Sequence, residues 1–438
     1  MFLLILSLII YSAPGKNLVL VPEGSNARSF TLQRQTASGK VTRVANSFPG
    51  ADLGAKINAA DKDLGATVGE ILVQNGGIIS TQVTINPGHT LRFGPGTYRL
   101  ATELLWEGAV LLKSRTAVVG SGWDTIIVEP PRTGWTVFQS FEDIRTQPAH
   151  SGTDSDISVT KLQIKGANPG VDGSVRQTLQ LGNCNRCRVE QVWLNGTGVI
   201  GIQAGGNALK GNFAEDVVIK NNLFTRVAGQ TVAVVNGRNI VIDRNTFKES
   251  GRDTRQGMVP IDVEPNVPGD VAQNIQITNN VIDSRGSPFM HGNGILVQNG
   301  ARTRNYGPVT VKGNTIIGDN LIDVGGNIAT GIYISAPNVT VVDNTIQRVS
   351  HCGIRLENSS HAYVARNKII SAGTGGLFAF EITNTTDSQI LDNIVTVDPR
   401  SPLANAVIVE AGTSRNNVYK GNTDGSKPIL IQGRKGSD

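Results

Sequence analysis

Aromatic side chains are scarce in this chain: Phe, Trp and Tyr make up 5% of its 438 residues, and they never alternate with a run of basic residues. A nucleic-acid-binding surface needs a basic patch with interleaved aromatic side chains, so nucleic acid is not an expected partner. The net charge is +5 and is spread along the chain. This mild excess is compatible with an acidic polymer as the partner.

Long apolar runs are also missing. The stretch from Met1 to Ile10 is almost wholly apolar, but it is too short to span a bilayer, so we expect no stable membrane insertion. The stretch has the character of a secretory signal within residues 1–13, with cleavage after Ala13. The sequence therefore predicts a secreted or cell-surface protein, either extracellular or periplasmic.

The chain has only three cysteines. A single Cys-x-x-Cys motif at Cys184 and Cys187, with no second pair and no nearby histidine, makes a poor zinc site. These two cysteines could form a local disulfide in an exported protein. Cys352 has no obvious partner, and we interpret it as a buried structural thiol.

The sequence contains a short predicted strand that recurs along the chain. Each copy is followed by a turn, a second β-rich run, an asparagine and a third run. The copies begin at the following residues: Thr178, Gly201, Val232, Pro260, Gly294, Gly331, Gly353, Ala379 and Ala406.

The asparagines of the repeat stand at positions 222, 245, 280, 314, 344, 367, 393 and 422, so their spacings are 23, 35, 34, 30, 23, 26 and 29 residues. A variable period around a constant core phrase is typical of a coiled solenoid with loops inserted at set corners. We therefore expect one elongated domain, with the asparagines hydrogen-bonded from coil to coil inside a bend.

An amphipathic helix is predicted over residues 49–66, between an N-terminal extension (14–48) and the solenoid (67–430), which a tail (431–438) follows. Asp52 can cap the start of the helix and Gly65 can end it. Its apolar residues share one face and can cover the open end of the solenoid core. They are Leu53, Ile57, Ala60 and Leu64.

The motifs that follow the helix carry a family resemblance. They are a Pro-Gly-Thr-Tyr strand entry ending at Tyr98, a Gly-Ser-Gly-Trp phrase ending at Trp123, and the coils that end in asparagine. Together they resemble the pectate-lyase superfamily over residues 49 to 430. The resemblance implies an all-β fold, a right-handed parallel β-helix of three sheets with an N-terminal capping α-helix, and activity on polysaccharides. The catalytic motifs of polygalacturonases and alginate epimerases are not found, so no catalytic set is transferred.

Because side chains alternate along a strand, the outward residues of the recurring strand form columns across the coils. Longer loops around the middle coils would raise the walls of a groove over this face, and such loops usually carry binding function. The first column contains Val234, Asp262, Leu296, Tyr333, Arg355, Glu381 and Ile408, and the second contains Glu264, Gln298, Ser335 and Glu357.

Asp262 and Glu264 are the first candidate catalytic pair. Two residues apart on one strand, both are expected to face water with their Cβ atoms about 6.6 Å apart. That spacing approaches the roughly 6.5–9.5 Å carboxyl separation of inverting glycosidases. Alternatively, both could bind a divalent cation such as Ca²⁺, together with Gln298.

Other side chains could transfer protons or hold the substrate. His291, Tyr333 and Arg355 complete the candidate catalytic set, with the histidine and tyrosine exchanging protons and the arginine clamping a uronate carboxylate. The remaining residues of the groove are assigned to substrate binding. They are Arg252, Arg255, Gln298, Arg302, His351, Glu357 and Glu381.

The leading hypothesis from the sequence is an exported lyase that cleaves an acidic, uronate-containing glycan by β-elimination. One alternative is a glycoside hydrolase that uses Asp262 and Glu264 as its acid and base. The other is a glycan-binding or surface β-helix protein without catalysis. The sequence leaves these three functions open.

Overall fold

The computed structural model of the protein describes residues 18–20, 32–34, 41–101, 108–130, 136–142, 152–166, 177–206, 212–250, 259–285, 292–318, 328–372, 378–397, 405–425 and 427–433. The predicted signal segment, residues 1–13, lies outside the described residues. So do His291, Arg252 and Arg255.

The predicted α-helix is present at Leu53–Leu64, after a 3₁₀ turn at Ala45–Ser47. Asp52 caps it by accepting hydrogen bonds from the backbone N–H groups of Gly54 and Ala55, both at 3.1 Å. The same carboxylate accepts a 2.8 Å bond from the N–H of Thr81, so it ties the helix to the first coil. Leu53, Gly54, Ile57, Ala60, Asp61 and Leu64 are buried, which agrees with a helix that covers the open end of the core.

One wall of the solenoid is a sheet of 13 parallel strands, one from each coil, which we call the C sheet. Its strands are Val83–Ile85, Gly108–Leu112, Thr136–Ser140, Gln177–Leu181, Ile200–Ala204, Val232–Val234, Ile261–Val263, Gly292–Gln298, Ile328–Ser335, Cys352–Glu357, Phe378–Thr383, Val407–Ala411 and Leu430–Gly433.

The other two walls form one continuous sheet of 30 strands. Its strands are Val41–Val44, Gly69–Val73, Gly77–Ile79, His89–Phe93, Gly96–Leu100, Ala117–Val119, Thr125–Val128, Asp154–Ser155, Ser158–Lys165, Cys184–Asn185, Arg188–Asn195, Ala214–Glu215, Val218–Lys220, Leu223–Thr225, Gly237–Asp243, Thr246–Lys248, Val271–Thr278, Val281–Asp283, Asn305–Tyr306, Val309–Lys312, Thr315–Ile317, Val339–Val342, Thr345–Gln347, Tyr363–Ala365, Lys368–Ile370, Gln389–Leu391, Ile394–Thr396, Val418–Lys420, Thr423–Asp424 and Lys427–Pro428.

The ends of the solenoid lie slightly beyond the predicted bounds. Val41–Val44, inside the predicted extension, pairs in parallel with Gly69–Val73 and so belongs to the first coil. Leu430–Gly433, mostly inside the predicted tail, adds the last strand of the C sheet. Two short strands, Leu18–Leu20 and Leu32–Arg34, pair antiparallel with each other. The predicted right-handed parallel β-helix of three walls is confirmed.

The asparagines of the repeat form a buried ladder, as predicted. From Asn222 to Asn393, each side-chain N–H donates to the side-chain oxygen, Oδ1, of the next ladder asparagine at 2.9–3.0 Å, and the ladder ends at Asn422. Each side chain also donates to a backbone carbonyl of the preceding coil, as Asn280 does to Ile242 at 2.9 Å. The ladder therefore supplies hydrogen-bond partners at a bend where the β pairing is interrupted.

The residue before every ladder asparagine has a positive φ. Six are non-glycine residues with φ between 53° and 58°, namely Asn221, Arg244, Asn279, Asp343, Arg366 and Asp392, and the other two are Gly313 and Gly421. This left-handed conformation turns the chain sharply, so that the asparagine side chain points into the stack. The corner is thus built by one backbone conformation and one side-chain type.

The two cysteines of the Cys-x-x-Cys motif, Cys184 and Cys187, form a disulfide. Cys352 is a buried free thiol, as its sequence context predicted.

Replacing one ladder asparagine should destabilise the protein. Asn280→Ala removes a side chain that donates to Ile242 and Asn314 and accepts two bonds from Asn245. Because leaving each buried polar group unsatisfied costs about 1–3 kcal/mol, we expect the free energy of unfolding to fall by roughly 3 kcal/mol or more. Denaturant titration followed by circular dichroism measures the change.

The matched control is Asn305→Ala, because Asn305 is exposed and its side chain makes no hydrogen bond within the described residues. It should change stability by less than about 0.5 kcal/mol. Equal effects of the two substitutions would contradict a stabilising role for the ladder.

Candidate functional site

The C sheet brings the predicted outward column together in register. Asp262 pairs with Leu296, Leu296 with Tyr333, Tyr333 with Arg355, and Arg355 with Glu381. Successive members therefore stand on adjacent coils, about 4.8 Å apart, although 22 to 37 residues separate them in the sequence. The predicted shared wall exists.

Two members of the predicted column are wrong. Ala233, not Val234, pairs with Asp262, and Val409, not Ile408, pairs with Glu381. Val234 and Ile408 point into the apolar core. In both strands, apolar residues occupy the inward and the outward positions alike, so alternation could not set the register there.

Five side chains of this wall form one connected group, which we call the Arg355 cluster: Tyr333, His351, Arg355, Glu357 and Glu381. The hydroxyl of Tyr333 donates to Glu357 Oε2 at 2.5 Å. Arg355 Nη2 lies 2.9 Å from the same oxygen, and its Nε lies 3.7 Å from Glu381 Oε2. His351 Nε2 approaches Glu381 Oε2 at 3.0 Å. Arg355 thus contacts two carboxylates. The carboxylate of Glu357 also accepts the hydrogen bond from Tyr333, and that of Glu381 also contacts His351.

The cluster is accessible to solvent. The side chains of His351 and Arg355 are 34% and 27% exposed, and those of Glu357 and Glu381 are 24% and 17% exposed. Burial, followed by the hydrogen bond to Glu357, raises the pKa of Tyr333 to about 12, while the charge of Arg355 opposes the shift. Tyr333 therefore keeps its proton at neutral pH.

Asp262 lies on the same outer wall but does not face water as predicted, because it is only 1% exposed. Gln230 donates hydrogen bonds from Nε2 to Asp262 and, at 3.2 Å, to Glu264. Burial, the charge of Glu264 and a hydrogen bond shared with Glu264 raise the pKa of Asp262 well above its usual range. The two carboxyl groups therefore form a pair in which Asp262 binds a proton more readily than an exposed aspartate does.

The carboxyl groups of this pair are bridged by one amide group. Each has an oxygen within hydrogen-bond distance of Gln230 Nε2, so these oxygens lie closer together than the roughly 6.5–9.5 Å carboxyl separation of an inverting glycosidase. The cause is Gln230, whose single amide draws both side chains together. The sequence contained no signal for Gln230, because it precedes the strand of the neighbouring coil and is not in the outward column.

The pair fits a cation poorly. Among the described residues, no group of three or more His, Cys, Asp or Glu side chains has the arrangement of a metal site. The amide N–H groups of Gln230 occupy one oxygen of each carboxyl group, Asp262 Oδ2 and Glu264 Oε2, and Asp262 Oδ1 has no hydrogen-bond partner among the described residues. We therefore derive no chemical step through a metal.

The remaining predicted substrate-binding residues lie beside the cluster. Gln298 is half-buried and pairs with Ser335 on the outer face of the C sheet. Arg302 lines a pocket of about 430 Å³ at the edge of that sheet. Asn299 and Asn358 also line this pocket and were not predicted. Each follows the end of a strand, where neither period nor charge distinguishes it from other turn residues.

Within the described part of the chain, no helix is both long enough and apolar enough to cross a membrane.

Solved structures share this fold at low sequence identity. A GH87 α-1,3-glucanase catalytic unit from Streptomyces thermodiastaticus is 14% identical, with a TM-score of 0.61 over 89% of this chain and 69% of that one. The A-module of the mannuronan C-5 epimerase AlgE6 from Azotobacter vinelandii is 12% identical, with a TM-score of 0.53 over 89% and 93%. PfbA, a surface adhesin of Streptococcus pneumoniae, is 11% identical, with a TM-score of 0.52 over 90% and 92%.

A search of curated proteins finds no match. The family model described as "Right handed beta helix region" matches residues 150–328 and 272–427, which together cover more than half of the chain. The predicted resemblance to the pectate-lyase superfamily is confirmed at the level of the fold. The chain belongs to the right-handed β-helix family.

Proposed function

We propose that this protein is an enzyme that acts on a polysaccharide and that its chemistry takes place at the Arg355 cluster. The observation that carries this proposal is the connected, partly exposed set of Tyr333, Arg355 and His351 on one wall. A proton donor, a cation and an imidazole within one group are the parts that acid–base chemistry on a sugar requires. The glucanase and the epimerase that share the fold act on glycans by name, which supports the substrate class.

The reaction that the cluster supports best is β-elimination from a uronate-containing glycan. His351 is bonded to Glu381 through Nε2, so Nδ1 is the nitrogen available to accept the C5 proton of the uronate. The electron pair of that C–H bond forms the C4–C5 double bond, and the C4–O bond breaks. The departing glycosidic oxygen takes the proton of the Tyr333 hydroxyl. One chain end becomes an unsaturated sugar and the other a free hydroxyl.

Accessibility favours this reaction over hydrolysis at Asp262 and Glu264. A hydrolase would use the proton on Asp262 as its acid, and the raised pKa of Asp262 is the observation in its favour. However, Asp262 is 1% exposed, whereas the side chains of His351 and Arg355 are 34% and 27% exposed. A general acid must contact the sugar, and a buried Asp262 cannot do so readily. Glycoside hydrolysis is therefore the second candidate.

The proposed partner is an acidic polysaccharide, and the proposed location is outside the cell, either secreted or on the surface. The mild positive charge of +5 supports an anionic polymer as the partner. The apolar segment at residues 1–10 supports export.

Tyr333→Phe tests the elimination. The substitution removes the proton donor and keeps the ring, so we expect kcat on a uronate polymer to fall by about 10²–10⁴-fold while KM changes little. The wild-type product should absorb in the ultraviolet because it is unsaturated, and a chelator should leave the rate unchanged. Stopped-time assays with product analysis measure both.

Tyr363→Phe is the matched control, since it makes the same change on another wall and should keep wild-type kcat. New reducing ends without ultraviolet absorbance would indicate hydrolysis instead. If a panel of polysaccharides is bound but none is cleaved, the protein is a glycan-binding β-helix and the enzymatic proposal fails.

Asp262→Asn tests the proton held by the buried pair. Because the pKa of Asp262 is raised, its contribution to stability is complete below the unfolded value of about 3.9 and is lost as pH rises through the folded value. Asparagine mimics the protonated acid. As pH rises from about 4 to about 8, the unfolding free energy of the variant should therefore increase relative to that of the wild type.

Asp283→Asn is the control of opposite sign. The hydrogen bond from Arg285 lowers the pKa of Asp283, so its contribution is present above the unfolded value and is lost at low pH. This variant should fall further behind the wild type as pH rises from about 2 to about 5, and the difference should then stay constant up to about pH 8. A difference between Asp262→Asn and wild type that does not vary with pH would show that Asp262 is ionised.

A further inference from the structure

The pocket beside the Arg355 cluster is open and polar. It has a volume of about 430 Å³, and it adjoins the cluster because two of its lining residues continue the strands of Tyr333 and Glu357. Its lining residues are Asn299, Gly300, Arg302, Ser335, Pro337 and Asn358. Ser335 lies two residues beyond Tyr333, and Asn358 directly follows Glu357. A sugar seated over the cluster can therefore reach the pocket.

Arg302 is held by a turn that is closed by side-chain hydrogen bonds. Asn299 accepts from the backbone N–H of Thr303 at 2.9 Å and donates to its carbonyl oxygen at 3.1 Å. The N–H of Arg302 donates to the carbonyl oxygen of Asn299 at 2.9 Å. Arg302 has a φ of 51°, although it lies outside the corners that carry the asparagine ladder. The turn therefore fixes the backbone of Arg302 at the edge of the pocket.

The guanidinium group of Arg302 makes no hydrogen bond and no ion pair with any residue that the structure describes. Arg355, by contrast, already contacts Glu357 and Glu381. The pocket lining contains one cation and no carboxylate, whereas the cluster contains two carboxylates around one arginine. The charge of Arg355 is therefore already paired with two carboxylates, whereas the charge of Arg302 is available to an anionic substrate group.

We propose that the pocket at Arg302 is the subsite for the carboxylate of a uronate sugar, and that Arg302 rather than Arg355 determines specificity for an acidic glycan. This inference rests on the proposed activity on polysaccharides. The planar guanidinium fork matches a carboxylate with two parallel hydrogen bonds. Ser335 and the amide of Asn358 lie on the same lining and provide hydrogen bonds for sugar hydroxyls.

Arg302→Gln removes the charge and keeps a side chain of similar length. Charge-assisted hydrogen bonds contribute about 1.5–3 kcal/mol, so KM for the uronate polymer should rise by about 10- to 140-fold, with kcat nearly unchanged. The same polymer with its carboxyl groups reduced to alcohols cannot undergo elimination, and wild type and variant should bind it with equal Kd. Arg302→Lys should restore part of the affinity.

A second variant fills the pocket without removing the arginine. A Cβ atom at Gly300 would meet no atom within 4 Å, and Gly300 has no left-handed backbone conformation, so Gly300→Phe should fold normally. It should raise KM for the uronate polymer as Arg302→Gln does. The controls are Arg226→Gln, at an exposed arginine with a φ of 55°, and Gly433→Phe, at another open glycine. Both should behave as wild type.

Binding provides a readout that does not need turnover. Calorimetric titration of the Tyr333→Phe variant with a short uronate oligosaccharide should show saturable binding, which Arg302→Gln and Gly300→Phe weaken equally. Cleavage or binding that neither substitution affects would overturn the subsite and leave the enzymatic proposal standing. Saturable binding that depends on Arg302, without cleavage by wild type, would support the subsite and overturn catalysis. No binding at all would overturn the subsite.

Discussion

The coil-to-coil hydrogen bonds of the asparagine ladder are the constraint on which the rest of the structure depends. Each ladder asparagine donates to the next and to a backbone carbonyl of the preceding coil, so neighbouring coils cannot slip without breaking buried bonds. A slip of one residue would turn every outward side chain of the C sheet into the core. The ladder stands at a different corner from the candidate site, yet it holds the register that the site needs.

Constant register turns distant residues into neighbours. Tyr333, Arg355 and Glu381 come from three successive coils, and together they form a cluster that no single segment could supply. The strands under them are covered by an apolar core that includes Ile332, Ile354 and Phe380. Because that core and the ladder set the backbone, loops can vary in length from coil to coil without moving the cluster. This explains how ladder spacings from 23 to 35 residues coexist with one regular sheet.

Much of this architecture could be predicted, because alternation and the recurring asparagine are periodic signals. The inward residues Ile261 and Val263, the ladder, and the shared wall of Tyr333 and Arg355 all follow from period alone. Side-chain contacts across coils do not. The burial of Asp262 depends on Gln230, which belongs to the preceding coil. The predicted register was wrong at Ala233, because apolar residues occupy both faces of that strand and no alternation is visible.

The distribution of charge along the wall explains why one arginine cannot serve two purposes. An arginine that lies between Glu357 and Glu381 can orient Tyr333 and His351 through those carboxylates, but its charge is then largely neutralised for an incoming anion. Recognition of an acidic sugar therefore requires a second cation beyond the reach of the same carboxylates. The turn that Asn299 closes supplies one at Arg302, at the edge of the sheet. Separation of orientation from recognition follows from electrostatics, and the solenoid permits it because each coil contributes its own side chain to the wall.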